Sequence, residues 1–397
     1  MKRLKNYLQG GGRFIAIIVL AVITFSYAMF QGGFVSWFVF YSLTPFLLYS
    51  LLLAFAPIHI YEVSREVTPS KLHRGDSAKI TVSFRNKTWI PLIFMTVQEL
   101  GIDRNSSNYQ GRYNQIYFVG WKRKFEWSYE LNDMKRGKMQ FQGIQFTFTD
   151  FFGWTIRTKV VEEDKSVVIL PKLSTIKYKP LQMQFEHGGV AAPFSMVKDT
   201  SLVTGVRDYQ SGDKYSWIHW KSFAKNETLR TKEFEDRQTQ DIFLAIDQSS
   251  EKNFEHAVDL TASILQSVIK NHGDISFLST GEKREIFPKL KSQSRLEKVM
   301  QHLAVVKPDS KQSIDAILAN EMALINAATL VLVTGELSKE LKDFFVNSSK
   351  FARGIVCFVV SGKNEKVVEK RLSVANVKVI HIAEEQFENA FTEVMKP

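Results

Sequence analysis

Two uncharged runs near the N-terminus, Phe14 to Phe30 and Phe34 to Ile58, limit what this chain can fold into more than any other feature. At about 1.5 Å of rise per residue, runs of roughly 17 and 25 residues reach across a hydrocarbon core about 30 Å thick, the second with tilt. Only Gln31-Gly32-Gly33 separates them, so a tight transmembrane hairpin is expected over residues 1–60. Lys2, Arg3, Lys5 and Arg13 precede the first span, and Arg65, Lys71 and Arg74 follow the second, while the turn carries no charge. Basic flanks of this kind place both termini in the cytoplasm of a two-pass protein of the cell membrane. A cleaved signal peptide is the competing reading, but a second long span follows at once. No ionisable residue lies within either span, which favours an anchor over a transport path. Pro45 is expected to kink the second span, with Ser42 and Thr44 placed to satisfy the freed carbonyls.

Beyond the hairpin the pattern changes to period two. Ala78 to Asn86, Phe125 to Leu131 and Lys138 to Phe148 alternate apolar and polar residues, with turns at His73 to Asp76, Asn86 to Thr88 and Lys135 to Gly137. Several short strands without a helix predict a β-sandwich of immunoglobulin-like type over residues 61–173. The Arg74-Gly75-Asp76 triplet is read as a turn. The 397 residues suffice for two or three domains. The net charge of +11 suits an anionic membrane surface, a nucleic acid or an acidic partner, and the apolar N-terminus makes the membrane the least strained choice. The single cysteine, Cys357, sits in an apolar strand, so no disulfide framework and no cysteine zinc site is expected.

Residues 174–240 are a connector followed by a block dense in rare residue types. Between Gly205 and Ser250 the chain gathers Arg207, Asp208, Asp213, His219, Lys221, Arg230, Lys232 and Glu233 around Trp217, Trp220 and Phe234. Tyr215 to Lys225 is expected to form one short helix, because Trp217, Trp220 and Ala224 fall on one face. One reading makes Asp213, His219 and Lys221 a proton-handling site, in which a carboxylate orients an imidazole and Lys221 holds an anion. The other makes these charges a clasp that locks one domain onto the next, and it is preferred because no nucleophile motif stands beside them.

The run Gly205-Val-Arg207-Asp208-Tyr209-Gln-Ser-Gly212-Asp213, then Ile218-His219-Trp220-Lys221, then Glu233-Phe234-Glu235, resembles the family called domain of unknown function 58, the YeaD-like membrane proteins of bacteria. Asp208 stands where that family usually has Glu. The Asp150-Phe-Phe-Gly-Trp154 turn and the strand ending in Pro171 extend the resemblance from about Arg65 to Asp247. The resemblance implies a MoxR-type AAA+ ATPase and a transglutaminase-like membrane protein as partners.

From residue 241 to 397, strands and helices alternate, with apolar strands at Asp241–Ile246, Thr329–Val333 and Ile355–Val360 and an amphipathic helix at Phe254–Lys270. This predicts a doubly wound, mostly parallel α/β sheet. The short third strand and Asp247 at the end of the first look like a von Willebrand factor A-type domain. That resemblance implies a Mg²⁺ loop of Asp-x-Ser-x-Ser form, helped by a Thr and an Asp on later loops. Here the loop is Asp247-Gln-Ser249-Ser-Glu251, with Glu251 in place of the last serine, and Val333-Thr334-Gly335-Glu336 lacks the later Asp. Ser313 is the stand-in for the middle-loop Thr. The alternative is a helix-capping loop with no cation.

No glycine-rich nucleotide loop, HExxH or GxSxG occurs, so no enzymatic cofactor is expected. The leading reading is a membrane-anchored cytoplasmic protein-interaction module. The alternatives are a membrane-bound hydrolase or transferase using His219 and Asp213, and a divalent-metal-dependent binding receptor. Nucleic-acid binding is set aside, because Glu227, Glu233, Glu235 and Asp236 interrupt the basic stretch from Lys221 to Arg237. Protease added to intact cells is expected to leave the bulk of the polypeptide whole, and digestion of that bulk would reverse the topology.

Overall fold

The computed structural model describes residues 2–100, 113–178, 203–211, 213–234, 242–349, 354–362, 374 and 376–395. Gly212, Glu235, residues 179–202 of the connector and residues 363–373, where the sequence pattern predicts a helix over Glu365–Leu372, lie outside them. The chain divides into two units, Met1–Pro171 and Lys172–Pro397.

In the first unit, α1 (Lys2–Gln31) and α2 (Phe34–Phe55) are joined by Gly32 and Gly33. Both glycines have positive φ, 56° and 112°, a backbone that residues with a Cβ rarely adopt. Helix α2 ends at Phe55 rather than Ile58 because Pro57 forces Ala56 into extended backbone. By length and composition α2 can cross a membrane, and Ile15–Gln31 is a shorter apolar helix. The Thr44 hydroxyl donates to the Phe40 carbonyl at 2.7 Å, next to Pro45.

Eight strands follow: β1 (Ile60–Thr68), β2 (Leu72–His73), β3 (Ala78–Asn86), β4 (Leu92–Leu100), β5 (Asn114–Gly120), β6 (Lys124–Leu131), β7 (Gly137–Thr149) and β8 (Ile156–Leu170). They form a three-stranded sheet, β1-β3-β6, and a five-stranded sheet, β2-β8-β7-β4-β5. Pairing is antiparallel except between β2 and β8. One core joins the two sheets, because alternate residues of β3 (Ile80, Val82, Phe84) and of β7 (Ile144, Phe146, Phe148) are buried in the same cluster.

That core holds a charge. Arg65 is fully buried, 2.6 Å from Glu99 and 2.7 Å from Glu163, with its guanidinium over the Phe141 ring. Tyr129 donates to the other Glu99 oxygen at 2.9 Å and stacks on Tyr113. Burial outweighs the Arg65 charge and pushes the Glu99 carboxyl up to about 7.

The second unit contains β9 (Val203–Asp208), α3 (Trp220–Asn226) and β10 (Arg230–Phe234) as a separate two-stranded hairpin. After it come β11 (Ile242–Ile246), α4 (Phe254–Lys270), β12 (Ile275–Ser279), β13 (Glu285–Leu290), α5 (Gln293–Val305), α6 (Ile314–Ala319), α7 (Met322–Ala327), β14 (Thr329–Thr334), α8 (Lys339–Ser348), β15 (Ile355–Ser361), β16 (Val377–Ala383) and α9 (Ala390–Met395). The strand order is β13-β12-β11-β14-β15-β16, parallel except for the edge strand β13. This is the doubly wound order in which the first strand sits at a reversal of direction, and crevices open at its carboxyl end. Phe243 and Ala245 pack with residues of α6, α7 and α8 on one face of the sheet, while α4 runs over β11, β12, β14 and β15 on the other.

Because folded Glu99 keeps its proton up to about pH 7 while an unfolded glutamate loses it near 4.5, stability is expected to fall as pH rises across that window. Unfolding of the full-length chain in detergent checks this, and Glu99→Gln should flatten the dependence. Arg65→Met strands two carboxylates and should cost about 3–5 kcal/mol.

Candidate functional site

The block that stood out in the sequence folds around the β9–β10 pair, in which Arg207 faces Thr231 and Asp208 faces Arg230. The connection between them is not one helix. Tyr215–Trp217 makes a single 3₁₀ turn, Ile218 then bridges to Thr231, and α3 begins only at Trp220. The His219 amide donates to the Arg230 carbonyl at 2.8 Å, so the helix expected over Tyr215–Lys225 is interrupted by strand-like pairing. Ile218, not the aromatic stripe, is the buried apolar residue here.

Asp213 is the hub. One carboxylate oxygen accepts from Arg207 Nη2 at 2.7 Å; the other accepts from the Gln210 amide and the Thr231 hydroxyl, each at 3.0 Å. The Arg207 hydrogen bond, followed by the Gln210 amide, holds the carboxyl at about 2, so it is ionised at neutral pH. Arg207 also donates to the Asp208 carbonyl at 3.0 Å. Asp208 and Arg230 approach to 3.4 Å, but Asp208 is 88% exposed and such a pair contributes little. The Tyr209 amide donates to the Leu229 carbonyl and extends the ladder by one rung.

His219 does not meet Asp213. Its Nδ1 accepts the Ser222 amide at 3.2 Å and lies 2.8 Å from the Ser222 hydroxyl. Since the amide can only donate, the ring proton belongs on Nε2, and the imidazole is the N-cap of α3. The Asp213–His219 dyad of the alternative, proton-handling reading is not formed: Asp213 is committed to Arg207 and Thr231, and His219 to Ser222. Of the pairs in the clasp reading, Arg207–Asp213 and Arg230–Asp208 form, and both lie within the hairpin. Lys221 is exposed, and Glu233 and Phe234 lie in β10. Sequence reading passed over Thr231 and Ser222, although His219-x-x-Ser222 has the spacing at which an N-cap meets the amide three residues on.

What the hairpin turns outward is aromatic and basic. Tyr215 is 77% exposed and Trp220 60%, with Phe223 edge-on to Trp220 at 6.2 Å and Lys221 and Lys225 on the same short helix.

At the carboxyl end of β11, Asp247 is buried and its oxygens are taken by the Ser249 amide (2.9 Å), the Ser249 hydroxyl (2.6 Å) and the Thr334 hydroxyl (2.8 Å). Gly335 lets the Thr334 loop approach, since a Cβ there would meet the Lys252 carbonyl oxygen at 1.7 Å. Next to it, buried Gln248 donates to Ser279, which lies 2.8 Å from His302 Nε2. Glu251 and Ser313 are exposed. Among the described residues no group of three or more His, Cys, Asp or Glu side chains gathers here or elsewhere, and the protein oxygens around Asp247 number fewer than the roughly six of a Mg²⁺ shell, the remainder of which water would have to supply. One carboxylate and two hydroxyls already bonded to it supply three.

A hairpin closed by Asp213, leading into a doubly wound sheet and preceded by an apolar helix, defines a mixed α/β protein whose charged block is structural at its centre and aromatic at its rim. The model of the family described as "Protein of unknown function DUF58" matches residues 205–383. The chain is 33% identical over 347 residues to "Uncharacterized protein YeaD" of Bacillus subtilis (strain 168), covering 86% of this chain and 87% of that one. It belongs to this family. Among solved structures it is similar to a von Willebrand factor type A protein from Catenulispora acidiphila, with 14% identity, TM-score 0.29, and coverage of 41% of this chain and 43% of that one. It is also similar to a CARDB domain from Pyrococcus furiosus in complex with di-metal ions, with 17% identity, TM-score 0.20, and coverage of 28% and 93%.

Arg207→Met is expected to open the hairpin and leave the six-stranded sheet folded, read as new proteolytic cleavage between β9 and β10. His219→Asn, which keeps a side-chain cap, should leave the same digest pattern as wild type.

Proposed function

We propose that this protein is a non-enzymatic, membrane-anchored interaction module, a two-pass protein with both termini in the cytoplasm. In this reading residues 61–173 are an immunoglobulin-like sandwich, residues 241–397 a von Willebrand factor A-like domain, and the partners are a MoxR-type AAA+ ATPase and a transglutaminase-like membrane protein. The observation that carries it is the division of labour in the β9–β10 hairpin. The groups that could do proton chemistry are spent on holding it shut, while Tyr215, Trp220, Phe223, Lys221 and Lys225 face solvent. Large aromatics beside cations on a rigid element are what protein interfaces use as anchors. The apolar spans and the basic flanks support the membrane part of the reading.

The hydrolase alternative would need His219 as a base, and the imidazole presents its lone pair to the Ser222 amide instead. The metal-dependent receptor would need a cation at Asp247, whose oxygens already accept three internal hydrogen bonds.

Affinity recovery of the full-length chain from detergent extract tests the proposal. An AAA+ ATPase should co-purify, and Trp220→Ala should weaken its capture by about 30-fold, as loss of an interface anchor worth ~2 kcal/mol does. Recovery of no ATPase from cells that contain one would overturn it. So would turnover by the purified chain that disappears in His219→Asn.

A further inference from the structure

Helix α2 is packed on one side only along its last three turns. Leu47, Ser50 and Leu53 are buried, Ser50 on Asp150 and Leu53 in the core of the first unit's sheets, while Leu48, Leu51, Leu52 and Phe55 remain exposed to the helix end. A helix with so apolar an outer stripe belongs in lipid down to Phe55. The packed stripe meets the turn between β7 and β8. Phe46 lies 5.6 Å from the Phe151 ring and 5.2 Å from that of Phe152, and Phe152 stacks on Trp154 at 4.6 Å.

The cluster continues onto the sheet. Phe94 is 6.2 Å from Phe151 and 6.0 Å from Phe118. The strand register sets Phe118, Phe94, Thr149 and Ile156 in one row across β5, β4, β7 and β8. Phe118, Phe151 and Phe152 are 74%, 57% and 49% exposed, so this surface is aromatic and uncovered.

Its height follows from the helix. Phe46 stands nine residues before Phe55, about 14 Å along the axis, and tilt lowers that somewhat. Several polar groups brought to this height are bonded within the unit: Ser50 Oγ bonds one Asp150 oxygen, the Thr155 hydroxyl donates to the Ser50 carbonyl at 3.1 Å, and the Tyr49 hydroxyl joins Pro91 and Ile93, each at 3.1 Å, while the other Asp150 oxygen is buried without a partner. At the lower end of α2, Arg157 donates to the Ala54 carbonyl and Lys159 to that of Ile58, which puts two cations where phosphate headgroups lie.

We propose that the β7–β8 turn and the adjoining aromatic row enter the cytoplasmic leaflet beside α2, among the acyl chains above the headgroup level marked by Arg157 and Lys159. The chain then holds the membrane by a β-turn as well as by helices, and the five-stranded sheet stands at a fixed angle to the bilayer. The occupant of the patch is lipid because the patch runs without a break into the lipid-facing helix and is rimmed by cations. Phe94, Phe118, Phe151 and Phe152 carry no charge, and phenylalanine inserts favourably among acyl chains. The inference rests on α2 being membrane-embedded, and the test separates the two.

The full-length chain carrying Cys357→Ser and Phe152→Cys is labelled with an environment-sensitive fluorophore in vesicles of phosphatidylethanolamine and phosphatidylglycerol. Phe40→Cys in α2 serves as the reference, and Phe151→Cys repeats the measurement should Phe152→Cys not fold. The label at 152 is expected to lose most of its emission to a phospholipid spin-labelled within its acyl chain and little to aqueous iodide. If iodide quenches at 152 while lipid quenches at 40, the anchor stands and the turn inference falls. If lipid quenches neither site, the membrane reading falls and takes the inference with it. A label at 152 shielded from both quenchers shows the patch covered by protein, which also overturns it.

Discussion

The first unit depends on a short length of helix meeting the end of a sheet. Tyr49 and Ser50, adjacent residues near the end of α2, between them engage Pro91, Ile93, Asp150 and Thr155, which belong to the start of β4 and the β7–β8 turn. Each such bond is worth about 1 kcal/mol net in water, and more where water is scarce. Leu53 and Tyr49 belong to the same cluster as the core residues of both sheets. The apolar hairpin is therefore part of the sheet domain's core, and an anchor joined by a loose tether would not need Ala56 and Ile60 buried in that cluster as well.

Two polar assemblies follow the same logic of committing charge to structure. Arg65 sits between Glu99 and Glu163 with its charge over Phe141, an arrangement that adds little stability over a well-packed apolar core but fails badly if one partner is lost. Asp213 binds Arg207, Gln210 and Thr231 and fixes a hairpin too small to have a core of its own. Asp247 does the same for the loops after β11 and β14. In each place a carboxylate is occupied by at least one donor distant along the chain: Arg65 on Glu99, Thr231 on Asp213 and Thr334 on Asp247.

Local pattern carried far in this sequence. The alternation in Ala78–Asn86 and the periodicity in Phe254–Lys270 have the bounds of β3 and α4; β3 has one buried side whose spacing only an extended backbone can satisfy, whereas α4 is buried over most of its surface, polar residues such as Asp259 and Thr261 included. The block between β9 and β10 was harder. Trp217, Trp220 and Ala224 have helical spacing, yet Ile218 pairs with Thr231, and that pairing is decided by a hairpin register invisible to a local window. The block also holds several acids and bases within reach of one another, so spacing alone could not choose Arg207 over His219 as the partner of Asp213. The early end of α2 was readable in principle, from the restriction that Pro57 places on Ala56.

The central claim is that the apolar helix α2 and the five-stranded sheet form one cooperative body, and amide hydrogen exchange at Ile93 tests it most directly. This amide donates to the Tyr49 hydroxyl across the helix–sheet contact, 44 residues apart in sequence. In full-length protein reconstituted in lipid nanodiscs the Ile93 amide should exchange slowly, and Tyr49→Phe should speed it selectively while the neighbouring β4 amides bonded within the sheet keep their protection. Equal exchange at Ile93 in wild type and Tyr49→Phe would contradict the account, since the helix would then not be docked on the sheet.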